Sequence, residues 1–137
     1  MAQSLGAWDP WTMNPEARVR EFCDAFARRD VKEILGRMTE DCVYHNLPIA
    51  PLTGHAAIEP LLNSFLDGCR QVEFEVLNLA VDGSRVLTER IDRFAREDGT
   101  NLELPVMGIF EVADDGRIAA WRDYFDLATW TRQSGGG

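Results

Sequence analysis

The apolar residues in the first half of the chain recur at helical spacing. The segment Asn14-Pro15-Glu16 favours a helix start, because it offers a capping side chain, a proline for the first turn and an acid near the positive end of the helix dipole. Residues 15–29 are therefore predicted to form a helix with one buried face. The stripe on that face comprises Val19, Phe22, Cys23 and Phe26.

Two further helices are predicted, one after Asp30 and one after Gly54. Their apolar stripes are Ile34, Leu35 and Met38 in the second helix, and Ile58, Leu61, Leu62, Phe65 and Leu66 in the third. Pro60 falls within the third stripe, although a proline fits a helix best in its first turn. We therefore expect the third helix to begin close to Pro60.

From Gln71 onward the apolar period shortens to two residues, which predicts strands. Val72, Phe74 and Val76 alternate with two glutamates, a pattern typical of a strand with one wet face. Three dipeptides that favour tight hairpins then divide the sequence: Asp82-Gly83, Asp98-Gly99 and Asp115-Gly116. Four consecutive antiparallel strands are predicted near residues 71–81, 85–96, 101–112 and 117–126.

The order of these elements predicts an α+β fold. A strand over about 42–47 is expected to join a curved antiparallel or mixed sheet, with three or four helices packed on one face. Residues 127–132 are expected to form a short closing helix with Trp130 facing inward. We expect a single domain over residues 1–137, comprising an irregular arm at 1–13, the α+β body at 14–132 and a flexible tail at 133–137.

Charge narrows the classes of function. The 137 residues carry 23 acidic and 14 basic side chains, a net charge of −9. This balance argues against nucleic acid and anionic membranes as partners. The only histidines are His45 and His55, which excludes a multi-histidine metal site, and we expect no metal.

Cysteine usage and hydropathy bear on the compartment. Cys23, Cys42 and Cys69 are odd in number, lack CxxC spacing and lie among apolar neighbours, so we expect buried thiols in a reducing compartment. No apolar run approaches the roughly 20 residues that cross a bilayer. The first residues lack the basic start and the apolar stretch of a secretory signal. A cytoplasmic protein is therefore the expectation.

Ionisable and amide side chains interrupt strand faces that are otherwise apolar. Residues two positions apart share a face, which pairs Tyr44 with Asn46 and Arg90 with Asp92. Asp123 shares its face with two large aromatic residues, so we expect it inside, where an unpaired charge costs several kcal/mol. A structural ion pair or a solvated edge would explain these residues, and so would convergence on one mostly apolar pocket. Spacing alone leaves both explanations open.

Three segments resemble the active-site segments of the limonene epoxide hydrolase family, in the family's order and at similar separations. They are residues 43–48 (VYHNLP), 88–92 (TERID) and 121–127 (WRDYFDL), of which the last is the most specific. The resemblance covers residues 16–130 and implies the cystatin-like, cone-shaped α+β fold that ketosteroid isomerases, scytalone dehydratase and polyketide cyclases share, with helices enclosing a pocket on the concave face of the sheet.

The resemblance also implies roles in a cofactor-independent, one-step hydrolysis of an epoxide to a vicinal diol. Asp92 would protonate the epoxide oxygen, Asp123 would act as general base for water, and Arg90 would bridge the two carboxyls. Tyr44 and Asn46 would hold the water. An epoxide opens readily when its oxygen is protonated as water attacks, so a neutral acid and an ionised base are needed together. His45 lies on the opposite strand face and is expected to be structural.

The resemblance finally implies a pocket wall and a partner. The expected lining residues are Cys23, Phe26, Phe94, Leu104, Val106, Phe125 and Trp130. They would form an apolar slot for a terpene- or cycloalkene-sized epoxide. A homodimer is expected on the same ground. The alternatives are an isomerase or dehydratase of the same fold, and a non-catalytic module that binds a small molecule.

Overall fold

Four helices and six strands form residues 14–135, the part of the chain that this computed structural model describes. The helices are α1 (Pro15–Arg28), α2 (Val31–Gly36), α3 (His55–Leu66) and α4 (Leu127–Gln133). The strands are β1 (Met38–Leu47), β2 (Leu52–Thr53), β3 (Cys69–Asp82), β4 (Arg85–Arg96), β5 (Asn101–Val112) and β6 (Ile118–Tyr124). The predicted arm at 1–13 lies outside the described residues.

Helix α1 begins at the predicted cap Asn14, and α2 begins after Asp30 as predicted. Helix α2 ends at Gly36, so Met38, which was expected in its apolar stripe, is instead the first residue of β1. The Asn14 side chain accepts a hydrogen bond from the Ala17 amide, and the Asp30 side chain accepts from two amides of the first turn of α2. Helix α1 ends where Arg29 adopts the left-handed conformation, with φ of 55°. Both helices are therefore specified locally by the sequence.

The start of α3 differs from the prediction. The helix begins at His55, so Pro60 lies in its second turn instead of near its start. Pro60 and Ala56 are both exposed, and the Ala56 carbonyl that loses its amide donor can bind water instead. The proline is tolerated because it lies on the wet side of the helix.

The six strands form one curved, unclosed sheet in the order β2-β1-β6-β5-β4-β3. Strands β3 to β6 form the predicted antiparallel meander, and β1 lies parallel to β6, so the sheet is mixed. Strands β4 and β5 have the predicted bounds. The α+β fold class is confirmed, and the parallel pair brings Tyr44 opposite Trp121 and Asn46 opposite Asp123.

The Asp-Gly dipeptides form the predicted turns. Gly83, Gly99 and Gly116 all have positive φ, at 61°, 92° and 86°. In the tightest turn Asp82 pairs with Arg85, so Gly83 occupies the first central position of a two-residue loop. A glycine there suits a type II′ turn, whose twist matches that of the flanking strands.

Helix α1 packs across the concave face of the sheet, with its predicted stripe fully buried. The Phe22 ring contacts Phe26, Phe110 and Trp121 edge-on, at centroid distances of 5.2 to 5.9 Å. These aromatic residues form the core at one end of the curved sheet. The core supports the strands that carry the polar residues described below.

The C-terminal helix is anchored one residue beyond its predicted end. Gln133, expected to begin a flexible tail, accepts a hydrogen bond from the Glu103 amide and donates one to the Glu103 carbonyl. The Gln133 side chain thus pairs with the backbone of β5 at Glu103 in the way that a neighbouring strand would. Within residues 14–135 no helix has the length and apolar character needed to span a bilayer. The three cysteines are free and buried, as predicted.

Candidate active site

Two carboxyls and one guanidinium are buried together where β4 and β6 face α1. Arg90 is 0% exposed, Asp92 3% and Asp123 4%. Arg90 and Asp92 share the inward face of β4 because they are two residues apart, and β6 presents Asp123 from across the intervening strand β5. The fold therefore brings together side chains that lie about a quarter of the chain apart in sequence.

Arg90 lies between the two carboxylates. Its Nε donates to Asp92 Oδ1 at 3.0 Å, and its Nη2 donates to Asp92 Oδ2 at 2.9 Å. The same Nη2 donates to Asp123 Oδ2 at 2.8 Å. This is the contact between the three residues that the sequence resemblance implied, and it places them in one hydrogen-bonded group.

Three residues for which the sequence predicted no role at this site hold the guanidinium in place: Thr88, Phe74 and Phe110. Thr88, fully buried on the same face of β4, accepts from Arg90 Nη1 at 3.1 Å and donates to the Gly108 carbonyl at 3.1 Å. The Arg90 guanidinium also lies over the Phe74 and Phe110 rings, at 5.3 and 5.6 Å from their centroids. Thr88 lies two residues before Arg90, so the alternation of side chains along β4 could have predicted it on this face.

Asp123 has a second donor that the sequence analysis treated only as an apolar neighbour. Trp121 Nε1 donates to Asp123 Oδ1 at 2.7 Å, so each oxygen of this carboxylate accepts one hydrogen bond. Trp121 is fully buried, and its ring stacks on Tyr44 at 4.0 Å. A buried tryptophan needs a partner for its N–H, and this need was the signal for the contact.

Tyr44 and Asn46 reach the same place from β1. Both are buried, at 3% and 6% exposure, and both lie on the wall of the cavity that also contains Asp123. Burial raises the pKa of Tyr44 well above its ordinary value, and the negative charge of Asp123 adds to the effect. The Tyr44 hydroxyl therefore stays protonated, available both to donate and to accept a hydrogen bond.

The charges in this group do not balance unless one carboxyl is protonated. One guanidinium compensates one carboxylate, and a second buried negative charge would be unfavourable. Burial raises the pKa of Asp92 to about 6, an effect that the charge and hydrogen bonds of Arg90 partly offset and that the charge of Asp123 reinforces. Asp92 accepts both of its hydrogen bonds from Arg90, whereas Asp123 accepts one from Arg90 and one from Trp121. The Asp92 carboxyl is therefore partly protonated near pH 6.

A cavity of about 640 Å³ opens next to the carboxyls and is mostly apolar. Asp92, Asp123, Tyr44 and Asn46 lie on its wall. Five of the predicted lining residues are there as well: Phe94, Leu104, Val106, Phe125 and Trp130. The volume is within the range of small-molecule sites.

The other two predicted lining residues, Cys23 and Phe26, do not lie on the cavity wall. Phe26 stacks on Phe74 at 4.2 Å, and it is Phe74 that faces the cavity. Cys23 lies on the buried face of α1 and borders a separate groove, and burial raises the pKa of its thiol to about 12. The prediction was wrong for both because α1 is one layer further from the cavity than its apolar stripe indicates.

Several lining residues were not predicted as such. They come from the loop after β1, from β2, β3 and β4, and from α3, α4 and the residue after α4: Ile49, Ala50, Leu52, Leu61, Ser64, Phe65, Phe74, Arg96, Leu127 and Ser134. The apolar stripe of α3 contained Leu61 and Phe65, and their position on its less buried side was the available signal.

The two histidines lie apart from this group. His55 begins α3, and its Nε2 lies 3.1 Å from the Met38 carbonyl. His45 alternates with Tyr44 and Asn46 along β1 and pairs with Arg122, so it faces the other side of the sheet. Within residues 14–135 no three His, Cys, Asp or Glu side chains cluster in a way that could hold a metal ion.

Comparison with known proteins gives a family that agrees with this geometry. Residues 13–134 match the limonene-1,2-epoxide hydrolase catalytic domain. The chain belongs to this family. It is 34% identical over 109 residues to the epoxide hydrolase EphG of Mycobacterium tuberculosis, across 80% of this chain and 71% of that protein. The chain is thus an epoxide hydrolase of the limonene epoxide hydrolase type, as its sequence predicted.

Solved structures support the same assignment. A limonene epoxide hydrolase-like epoxide hydrolase from M. tuberculosis superposes with a TM-score of 0.76 at 30% identity, covering 93% of this chain and 94% of that one. More distant structures show the fold alone. They include SalBIII, described as an epoxide hydrolase/cyclase-like enzyme, with a TM-score of 0.76, 19% identity and coverage of 85% and 93%. A SnoaL-like polyketide cyclase from Shewanella denitrificans has a TM-score of 0.78, 13% identity and coverage of 90% and 98%.

Proposed function

We propose that this enzyme adds water to small apolar epoxides of terpene or cycloalkene size, in one step and without a cofactor, and releases vicinal diols. The observation that carries the proposal is the Arg90 guanidinium between two buried carboxyls on the wall of an apolar cavity. An epoxide in this cavity would meet an acid and a base at once. That combination is what opening the three-membered ring requires.

Asp92 is the proton donor in this proposal. Its raised pKa keeps a fraction of the carboxyl neutral near pH 6, and the apolar wall disfavours its charge further when substrate excludes water. The proton passes to the epoxide oxygen as the carbon–oxygen bond breaks. Positioned proton transfer of this kind contributes roughly 10²- to 10⁴-fold to a rate.

Asp123 is the base. A water held by Asp123, Tyr44 and Asn46 would lose one proton to the Asp123 carboxylate while its oxygen bonds to the epoxide carbon. Strand pairing places Asn46 directly beside Asp123, so both side chains can contact the same water. Each turnover leaves Asp123 protonated and Asp92 ionised. The proton then returns to Asp92 before the next cycle, and the shared Arg90 Nη2 keeps the two carboxyls close enough for this.

A single step fits this site better than a covalent ester on an aspartate. An aspartyl ester needs a base that activates water against it, commonly a histidine. No histidine lies among the described residues that line the cavity. Both carboxyls are instead held by Arg90, which suits proton transfer at fixed positions.

We also propose a homodimer in a reducing, cytoplasmic environment. The outer face of the sheet exposes large apolar side chains that a second copy could cover, among them Leu87, Met107 and Tyr124, which lie on three adjacent strands. The free buried thiols fit a reducing compartment. A molecular mass in solution of one chain at micromolar concentration would contradict the dimer.

The test is a panel of neutral cyclic and linear epoxides, with chiral analysis of the diols and with Asp123→Asn as the control for background hydrolysis. We expect diol formation by the wild type and almost none by the variant. Turnover of an unsaturated ketone with no reaction of any epoxide would show an isomerase instead. Tight binding without turnover would show a binding module.

A further inference from the structure

One arginine of the cavity wall takes no part in the acid–base group. Arg96 lies at the end of β4 on the same face as Asp92, two residues beyond Phe94. Two other arginines of this strand bind carboxylates: Arg90 binds the site aspartates, and Arg93 binds three surface glutamates. Arg96 is half-buried and forms no salt bridge with any other residue of 14–135.

The acids near Arg96 among residues 14–135 lie beyond salt-bridge distance of its guanidinium. Hydrogen bonds from Thr100 and, to a smaller extent, the charge of Arg96 lower the pKa of Asp98. The Arg96 guanidinium lies beside the Cys69 thiol, which donates to the Phe65 carbonyl. The nearby acids Asp67 and Asp98 are exposed, and Asp98 is engaged by the Thr100 amide at 2.8 Å. A half-buried guanidinium on an apolar wall, with no carboxylate bound, is a site prepared for an anion.

An aromatic band separates this cation from the acid–base group. The rings of Phe65, Phe94 and Trp130 contact one another at centroid distances of 5.5 to 6.2 Å. All three line the cavity, and Phe94 lies between Asp92 and Arg96 on the same face of β4. Asp92 and Arg96 are four residues apart on one strand, so their backbones are separated by about 13 Å at the usual strand rise.

We propose that Arg96 is a carboxylate-binding subsite, and that the preferred substrates carry a carboxylate at the far end of an apolar segment from the epoxide. This inference rests on the proposed function, since it names the class of epoxide that the same cavity takes. The guanidinium presents paired N–H groups that match the two oxygens of a carboxylate. The apolar segment would lie against the aromatic band while the epoxide reaches Asp92 and Asp123.

The test compares a terminally epoxidised decanoic acid with its methyl ester, in which a methyl group replaces the negative charge at the far end. We expect the wild type to hydrolyse the acid with a kcat/KM about 10-fold or more above that of the ester, because hydrogen bonds to charged groups are the strong ones. Arg96→Gln should lower kcat/KM for the acid by about 10- to 100-fold, mainly through KM, and change the ester by less than about twofold. Arg96→Lys should restore part of the preference.

Arg85→Gln is the matched control, since it removes the same charge from an exposed position at the other end of β4. This variant should have the wild-type kcat/KM for both the acid and the ester. Equal hydrolysis of acid and ester by the wild type, or an equal loss on both in Arg96→Gln, would overturn the subsite while epoxide hydrolysis stands.

If neither compound is hydrolysed, the proposed function fails and the subsite is decided by binding. Calorimetry with decanoate then compares the wild type with Arg96→Gln. Binding that the variant weakens at least 10-fold supports the subsite. Equal binding, or none to the wild type, overturns it.

Discussion

Replacing Gly108 with alanine should disrupt the acid–base group from a position that touches no substrate. Gly108 lies on β5 directly between Thr88 and Asp123 in the register of the sheet. A Cβ at this position would come closer to Arg90 Nη1 and to Asp123 Oδ1 than nonbonded atoms can approach. Both groups are buried and hydrogen-bonded, so neither can move into water to make room.

The expected losses of stability and activity follow from the displacement of Arg90 or Asp123 that the new methyl group requires. Overpacking a core by a methyl group costs about 1–3 kcal/mol, and separating a buried ion pair costs about 3–5 kcal/mol. The new methyl group should displace the guanidinium and weaken its contacts with the carboxyls without separating it from both of them. We therefore expect the free energy of unfolding to fall by about 2–5 kcal/mol. A displacement near 1 Å in a catalytic group costs about 100-fold, so kcat/KM on a neutral epoxide should fall by at least that factor.

Urea unfolding and steady-state hydrolysis of one neutral epoxide measure both quantities. Gly36→Ala is the control, because Gly36 ends α2 and a Cβ there would meet no atom within 4 Å. We expect this variant to keep its activity and to gain up to about 1 kcal/mol of stability. A Gly108→Ala enzyme with wild-type kcat/KM and stability would refute the packing argument and the need for a fixed Arg90.

Four further predictions concern the carboxyls. Asp92→Asn should lower kcat by about 10²- to 10⁴-fold with little change in affinity for the diol, measured by steady-state kinetics and product inhibition; an active variant would remove the proposed acid. Because burial raises the pKa of Asp92 to about 6, kcat/KM of the wild type should fall about tenfold per pH unit above that value. The same pKa shift means that the folded state holds the Asp92 proton more tightly than the unfolded state. The wild type should therefore lose stability relative to Asp92→Asn as the pH rises from the ordinary pKa of an aspartate to about 6. Parallel plots of unfolding free energy against pH for the two proteins would contradict this prediction. Trp121→Phe keeps the ring stack but leaves Asp123 Oδ1 without its donor, so it should cost about 1–3 kcal/mol of stability and slow hydrolysis, and unchanged stability in urea would argue against that hydrogen bond.

The elements of the fold were predictable where the local signal was strong. The Asp-Gly dipeptides and the alternation between them predicted the bounds of β4 and β5, because a turn that demands positive φ fixes where a strand must end. The start of α3 was not predictable in this way. Its Pro60 is tolerated by exposure to solvent, and exposure depends on the tertiary packing of the helix.

The site was predictable only in part. Strand parity and the family resemblance identified Arg90, Asp92 and Asp123, since side chains two residues apart must share a face. The role of Gly108 has no sequence signal, because it depends on the register of β5 against both neighbouring strands. The family resemblance implied that Cys23 and Phe26 line the cavity, but both belong to the buried face of α1, and the Phe26 ring stacks on Phe74, which lines the cavity in its place.

The most direct test of the one-step mechanism is a single turnover in water enriched in heavy oxygen, with enzyme in excess over one neutral epoxide. We expect the label to enter the diol in that first turnover and no labelled oxygen to enter the protein, because Asp92 and Asp123 only transfer protons. An unlabelled diol from the first turnover, or heavy oxygen in either aspartate, would show a covalent ester and contradict the acid–base assignment.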